Sequence, residues 1–206
     1  MQAANQIRNI IFDLGGVIID LDIPRTKNAL VELGIPAALA EYSCNLTNDL
    51  FYAYETGKIS SEQLRDEFRR LSGASFSDHD FDEAWCSMLL SLPEERVTLL
   101  ERLNKEYRVF LLSNTSAIHA LRFETMFLES AGIAMKDCFE KRYYSFETGL
   151  HKPDAEAFRL IVKEKGITPE QTLFIDDTLN NVKAAEALGF STIHLRPGMQ
   201  ITELSL

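Results

Sequence analysis

The sequence predicts an α/β fold: a parallel β-sheet covered by helices on both faces and interrupted by a helical insertion. Three observations lead there. Short apolar runs rich in branched or aromatic residues recur along the chain. Helical patterns separate them, as crossover connections require. One gap, after the first run, is too long for a single crossover helix.

The first run, IRNIIFD (7–13), reads as a buried strand that enters a tight Gly15-Gly16 turn. YRVFLLS (107–113), TLFIDD (172–177) and STIHL (191–195) read the same way, and KRYYS (141–145) is a shorter fifth candidate. Residues 93–106 read as a helix, with acids in its first turn and Val97, Leu100 and Leu103 on one face. Residues 153–166 read as another, with Phe158, Ile161, Val162 and Lys165 along one side and a stop at Gly166. A third runs from the cap candidate Thr178 to Gly189.

The long gap is almost all helical pattern. Leu46, Leu50, Phe51 and Tyr54 share a face of a helix that stops near Gly57. Ser60 and Gln63 make a capping-box pattern ahead of Leu64, Phe68 and Leu71. Phe81, Ala84, Trp85 and Met88 form a further stripe. The expected organisation is an α/β core of residues 1–17 and 91–206 and a helical cap of residues 18–90. In an open parallel sheet the ligand crevice lies beyond the carboxyl ends of the strands. The insertion leaves from that edge, so it is expected to sit over the crevice as a lid.

Composition bounds the function. The 206 residues are 46% hydrophobic and 25% charged, ordinary for a soluble globular chain. A net charge of -10 argues against a nucleic-acid surface but leaves a small anionic substrate open. Cys44, Cys86 and Cys138 form no CxxC pair, so reduced thiols, no zinc site and a cytoplasmic location are expected. The amino-terminal residues lack an apolar signal core, and no apolar run reaches membrane-spanning length. The expected partner is a small phosphorylated metabolite, without nucleic acid or membrane, bound by a monomer or weak homodimer.

The phosphorylated class follows from the strand ends. Asp13 closes the first strand, Ser113-Asn114-Thr115 the second, and Asp176-Asp177 the third; Lys152 precedes a proline in GLHKPD. In a parallel sheet these ends converge on one edge. Three carboxylates in one crevice need a counter-charge, and Mg²⁺ suits a site of few carboxylates plus a phosphate. Ser113 and Lys152 would face the remaining anionic oxygens. Helix N-termini near 115 and 178 add N–H groups suited to phosphate. The constellation reads as phosphoryl transfer.

FDLGGV (12–17), LLSNT (111–115), HKPD (151–154) and FIDDTLNNVKAA (174–185) together resemble the motifs of the haloacid dehalogenase (HAD) superfamily, which is mostly phosphatases. The resemblance implies a Rossmann-like (HAD-like) α/β core with an inserted helical cap. It implies Asp13 as nucleophile, forming an aspartyl-phosphate that water hydrolyses. It implies Ser113 as a hydrogen-bond partner of the transferring phosphoryl group, with Asn114 beside it. Lys152 would neutralise that group and hold Asp13 ionised. Asp13, Asp176, Asp177 and the backbone carbonyl of Gly15 would hold Mg²⁺. Asn181 stands where the family often has an acid, which implies a weaker outer contact.

Gly15 stands where most family phosphatases carry a second Asp, the general acid–base. Losing such a group typically costs about 10²–10⁴-fold in rate. The first reading is a substrate that needs less help: a phosphate on an anomeric sugar carbon leaves as a hemiacetal oxygen, a better leaving group than a simple alkoxide. The chain resembles a family subset with a DLGN-type first motif that acts on sugar 1-phosphates. His119, Asp20 or a metal-bound water are the candidate stand-ins for the proton. A haloacid dehalogenase also lacks the second Asp, but it has no use for Asp176-Asp177. A non-catalytic binding domain is the third reading, and the retention of Asp13 and Lys152 ranks it lower. The sequence therefore predicts a Mg²⁺-dependent phosphatase of small metabolites, sugar phosphates first. Arg25, Tyr52 and Lys58 are candidate substrate contacts in the cap.

Overall fold

The computed structural model describes residues 6–43 and 49–206. Cys44 and Leu46 lie outside the described residues. Five strands, β1 (Asn9–Phe12), β2 (Arg108–Ser113), β3 (Lys141–Tyr144), β4 (Thr172–Asp176) and β5 (Ser191–His194), pair in the order β3-β2-β1-β4-β5. All four pairings are parallel. The 141–145 run thus joins as an edge strand.

Five helices follow β1: α1 (Ile23–Glu32), α2 (Ala37–Ser43), α3 (Asp49–Glu55), α4 (Ser61–Ser72) and α5 (Asp78–Cys86). Helix α6 (Glu94–Leu103) leads into β2, α7 (Ala117–Ala131) into β3, and the short α8 (Ser145–Thr148) with α9 (Ala155–Lys165) into β4. Helix α10 (Leu179–Ala187) leads into β5.

Strand periodicity divides the core in two. Ile10, Phe12, Val109, Leu111 and Ile175 point to one face, where Val97, Leu100, Phe123 and Phe127 of α6 and α7 cover them. Ile11, Phe110, Leu112 and Phe174 point to the other, against Phe158, Ile161 and Ala185 of α9 and α10. Both faces are buried, which is why β1 and β4 read as unbroken apolar runs. The chain builds β2 and β3 on one side of β1, then β4 and β5 on the other. The switch point, where a crevice opens, is at the carboxyl end of β1.

Helices α1 to α5 carry a cluster of their own. Phe81 stacks on Trp85 at 5.6 Å between ring centroids, with Phe68 edge-on to both at 5.0 and 5.8 Å. Leu30, Tyr54 and Leu64 complete it, and Ile118 of α7 joins from the sheet side. The Ser60–Gln63 capping box forms as read, with both reciprocal bonds. Leu71 departs from its expected stripe and is 46% exposed, because α4 ends at the left-handed Gly73 just beyond it. Thr178 occupies the N-cap position of α10 without a side-chain cap. Burial pushes the thiols of Cys86 and Cys138 up to about 12 and about 11, so both are unreactive. No helix among the described residues is long and apolar enough to cross a membrane.

Phe158 is fully buried, edge-on to Phe174 at 5.2 Å and 5.9 Å from Phe190. Phe158→Ala should lower the unfolding free energy by about 3–5 kcal/mol in a urea titration. A loss below about 1 kcal/mol would mean that this face does not carry the sheet.

Candidate active site

The register of the sheet assembles the site. Phe12 pairs with Leu111 on one side and Ile175 on the other. One residue further on, Asp13 therefore lies level with Leu112 and Asp176, and its N–H donates to the Ile175 carbonyl at 2.9 Å. Ser113 ends β2 one position beyond and is 4% exposed.

Lys152 reaches this edge from the loop before α9. Its Nζ donates to Asp13 Oδ1 at 2.7 Å and to Asp176 Oδ2 at 2.8 Å. The ammonium is 1% exposed and Asp176 is fully buried. Burial works against the charge of Lys152, but the two carboxylates outweigh it and hold its pKa above the usual lysine value. Burial also pushes Asp13 up to about 7, with Lys152 opposing and Asp176 and Asp177 adding to the rise. Asp177 is raised by burial and by Asp176.

Oxygens of Asp13, Asp176 and Asp177 lie within 4.8 Å of one another. Three carboxylates against one ammonium leave two negative charges uncompensated, which suits a hard dication bound through oxygen. Backbone geometry leaves room for the approach: Gly16 has φ of 71°, and a Cβ there would collide with Asp177 Oδ2. Gly15 lies in the same turn after Asp13, where it pairs in a bridge with Ile19.

Asn181, expected as a weaker outer contact, lies against Asp176. Its amide donates to both oxygens of Asp176 at 3.1 Å. An acid at that position would face a buried carboxylate with no proton to give. The Thr178 N–H also donates to Asp176 Oδ1, at 2.7 Å.

Asn114 was expected beside the phosphate, and its side chain is committed elsewhere. Oδ1 accepts the Lys152 N–H at 2.8 Å, and Nδ2 donates to the Lys152 carbonyl at 2.9 Å. Ser145 clamps the next residue, with its hydroxyl bonded to both the N–H and the carbonyl of Thr115. Asn114 is therefore the side chain that fixes the Lys152 backbone.

The candidate proton carriers are also committed. His119 is buried, stacks on Trp85 at 5.9 Å, and bonds the Trp85 carbonyl through Nε2 at 3.0 Å. Burial lowers its pKa, so it is a neutral packing residue. Asp20 pairs with Arg96 at 2.8 Å and accepts from Ser91. The space of the missing acid is filled as well: a Cβ on Gly15 would come within 2.5 Å of Leu21 Cδ1.

Among the candidate cap contacts, Arg25 is exposed near the start of α1. The Tyr52 ring packs on His151 at 5.3 Å, and the Lys58 ammonium lies 5.2 Å from the Tyr52 centroid. Three residues with no sequence role sit at the site: His151, Glu55 and Leu21. His151 adjoins Lys152 in the motif, which was a signal. Glu55 and Leu21 carried none, because only the fold brings them there.

The haloacid dehalogenase-like hydrolase family profile matches residues 7–189. The D-ribitol-5-phosphate phosphatase of Bacteroides thetaiotaomicron is 30% identical over 192 residues, covering 93% of each chain. A HAD-family enzyme of Bacteroides thetaiotaomicron, solved with magnesium and inorganic phosphate, superposes with a TM-score of 0.90. It is 35% identical, and the match covers 97% of this chain and 100% of that one. A HAD-like hydrolase of Porphyromonas gingivalis superposes with a TM-score of 0.86 at 35% identity, over 94% of this chain and 93% of that one.

Asp177→Asn should weaken Mg²⁺ binding by more than about tenfold in a calorimetric titration, the loss typical of even an outer contact. Unchanged affinity would remove Asp177 from the metal set.

Proposed function

The chain belongs to the haloacid dehalogenase-like hydrolases, and on that premise we propose that Asp13 is the nucleophile of a Mg²⁺-dependent sugar-phosphate phosphatase. The observation that carries the reading is the buried Lys152 ammonium held between Asp13 and Asp176. It leaves Asp13 Oδ2 as the oxygen free to attack. Asp13 forms a bond to phosphorus as the ester oxygen leaves with its electron pair. Water then cleaves the aspartyl-phosphate and restores the carboxylate.

Lys152 balances charge on the transferring group and on Asp13. In this reading Ser113, at the end of β2, donates to a phosphoryl oxygen and the backbone at Asn114 adds an N–H. Asp13, Asp176, Asp177 and the Gly15 carbonyl would hold Mg²⁺, which supplies positive charge against the phosphoryl oxygens. Residues 18–90 act as the cap that closes the crevice and excludes water. The protein works in the cytoplasm as a monomer or weak homodimer.

The substrate class rests on Gly15. Leu21 fills the space of a second acid, and His119 and Asp20 are committed elsewhere. With both candidate side chains engaged, a hemiacetal oxygen is favoured over an alkoxide, so sugar 1-phosphates come first. The relative named for D-ribitol 5-phosphate supports a second reading, an open-chain polyol phosphate.

Phosphate release with and without Mg²⁺, across sugar 1-phosphates, sugar 6-phosphates, alditol 5-phosphates and an aryl phosphate, tests both. Metal-dependent release fastest from the 1-phosphates is expected. Preference for the alditol phosphates would select the second reading. No release, with Mg²⁺ and substrate bound, would leave a binding domain. Asp13→Asn should abolish turnover with the fold intact; turnover at the wild-type rate would remove Asp13 as nucleophile.

Gly15→Asp tests the vacancy. The backbone at Gly15 has no positive φ, and only the end of Leu21 stands in the way. Gly15→Asp combined with Leu21→Ala should raise turnover of a primary alkyl phosphate. No rise would mean that another group already carries the proton.

A further inference from the structure

Helix α3 ends against the loop that carries Lys152, and the contact is a chain of buried and half-buried polar groups. Glu55, the last residue of α3, is 5% exposed. Its Oε2 lies 2.9 Å from His151 Nε2. The other ring nitrogen, Nδ1, lies 3.0 Å from Asn114 Nδ2. Asn114 in turn grips the N–H and carbonyl of Lys152.

This chain allows one proton arrangement. The Asn114 amide cannot be flipped, because its oxygen accepts the Lys152 N–H and its nitrogen donates to the Lys152 carbonyl. Nδ2 is therefore a donor to His151 as well. A donor facing Nδ1 requires a lone pair there, so the ring proton is on Nε2. That proton points at the Glu55 carboxylate.

Two further contacts fix α3 in place. A Cβ on Gly57, which has φ of 68°, would collide with the Phe146 carbonyl oxygen. The Tyr54 hydroxyl accepts the Ile118 N–H at 3.1 Å. Glu55 is thus delivered to His151 by the docking of α3 on α8 and the start of α7.

We propose that Glu55 and His151 are positioning residues through which the docked α3 sets the alignment of Lys152. With α3 docked, the carboxylate holds the proton on Nε2 and Nδ1 accepts from Asn114. With α3 away, Nε2 loses its acceptor and Asn114 alone is left to hold the ring. The imidazole is then free to turn off Asn114, which loosens the grip on Lys152. The lid and the charge-balancing lysine are coupled, so the site is complete only when the lid is down. The catalytic consequence rests on the phosphatase reading above; the tautomer does not.

The test has two readouts. The ¹⁵N shifts of the His151 imidazole, identified by their loss in His151→Gln, report the tautomer. In the wild-type protein they should show the proton on Nε2 and a lone pair on Nδ1. Glu55→Ala should shift the His151 resonances toward the tautomer mixture of an unrestrained imidazole and lower kcat by about ten- to a hundredfold, the scale of a misplaced catalytic group. KM should change far less than kcat. Glu55→Gln keeps an acceptor and should restore both the tautomer and most of kcat. Wild-type shifts showing Nδ1 protonated would overturn the proposal without any variant. So would a Glu55→Ala protein with wild-type tautomer and kcat. A wild-type protein inactive on every ester, whose His151 tautomer still responds to Glu55→Ala and is rescued by Glu55→Gln, would sink the phosphatase reading and leave the link between α3 and the Lys152 loop standing.

Discussion

The buried Lys152 ammonium is the constraint on which the site depends. It is 1% exposed and touches two carboxylates from different strands. A charge so buried is tolerable only when paired, and removing one partner of such a pair typically costs about 3–5 kcal/mol. The pairing in turn requires that β1 and β4 be neighbours in register, so that Asp13 and Asp176 stand side by side. It also requires the 151–154 loop to be held firmly, which Asn114 does from the end of β2. One ammonium thus ties three segments of the sheet edge together. It still leaves the carboxylates in excess, and that excess suits the crevice to a cation.

The same edge explains the part played by glycine. Gly16 lets the turn after β1 come against Asp177, where a side chain would not fit. Gly57 lets the end of α3 sit on the Phe146 carbonyl. Each permits a close approach near the site: one brings the turn after β1 against Asp177, the other brings the end of α3 against Phe146. Gly15 is different. Its space is taken by Leu21, so a side chain there would meet an apolar neighbour.

Much of the fold was legible because buried parallel strands write themselves as unbroken apolar runs, and because a gap after strand 1 cannot be one crossover helix. Asp13, Lys152, Asp176 and Asp177 were legible because each ends a strand or opens a helix, and parallel strands end together. What was not legible depends on side-chain direction. Asn114 is next to Ser113 in sequence, yet its amide faces the Lys152 backbone. His119 is polar and near the motif, yet it points into the Trp85 cluster. Glu55 and His151 are 96 residues apart and meet only because α3 docks where it does. Periodicity reports which face of a helix is buried; it does not report which distant group a polar side chain on that face will meet.

The central claim is that Asp13 bonds to phosphorus. Acid quenching during turnover, followed by borohydride reduction, converts an aspartyl-phosphate to homoserine, and peptide mass spectrometry locates it. The account predicts homoserine at position 13, appearing only with substrate and Mg²⁺ present. Phosphate release with Asp13 unmodified at every quench time, and with inversion of configuration at a chiral phosphorus where two successive displacements would give retention, would contradict it.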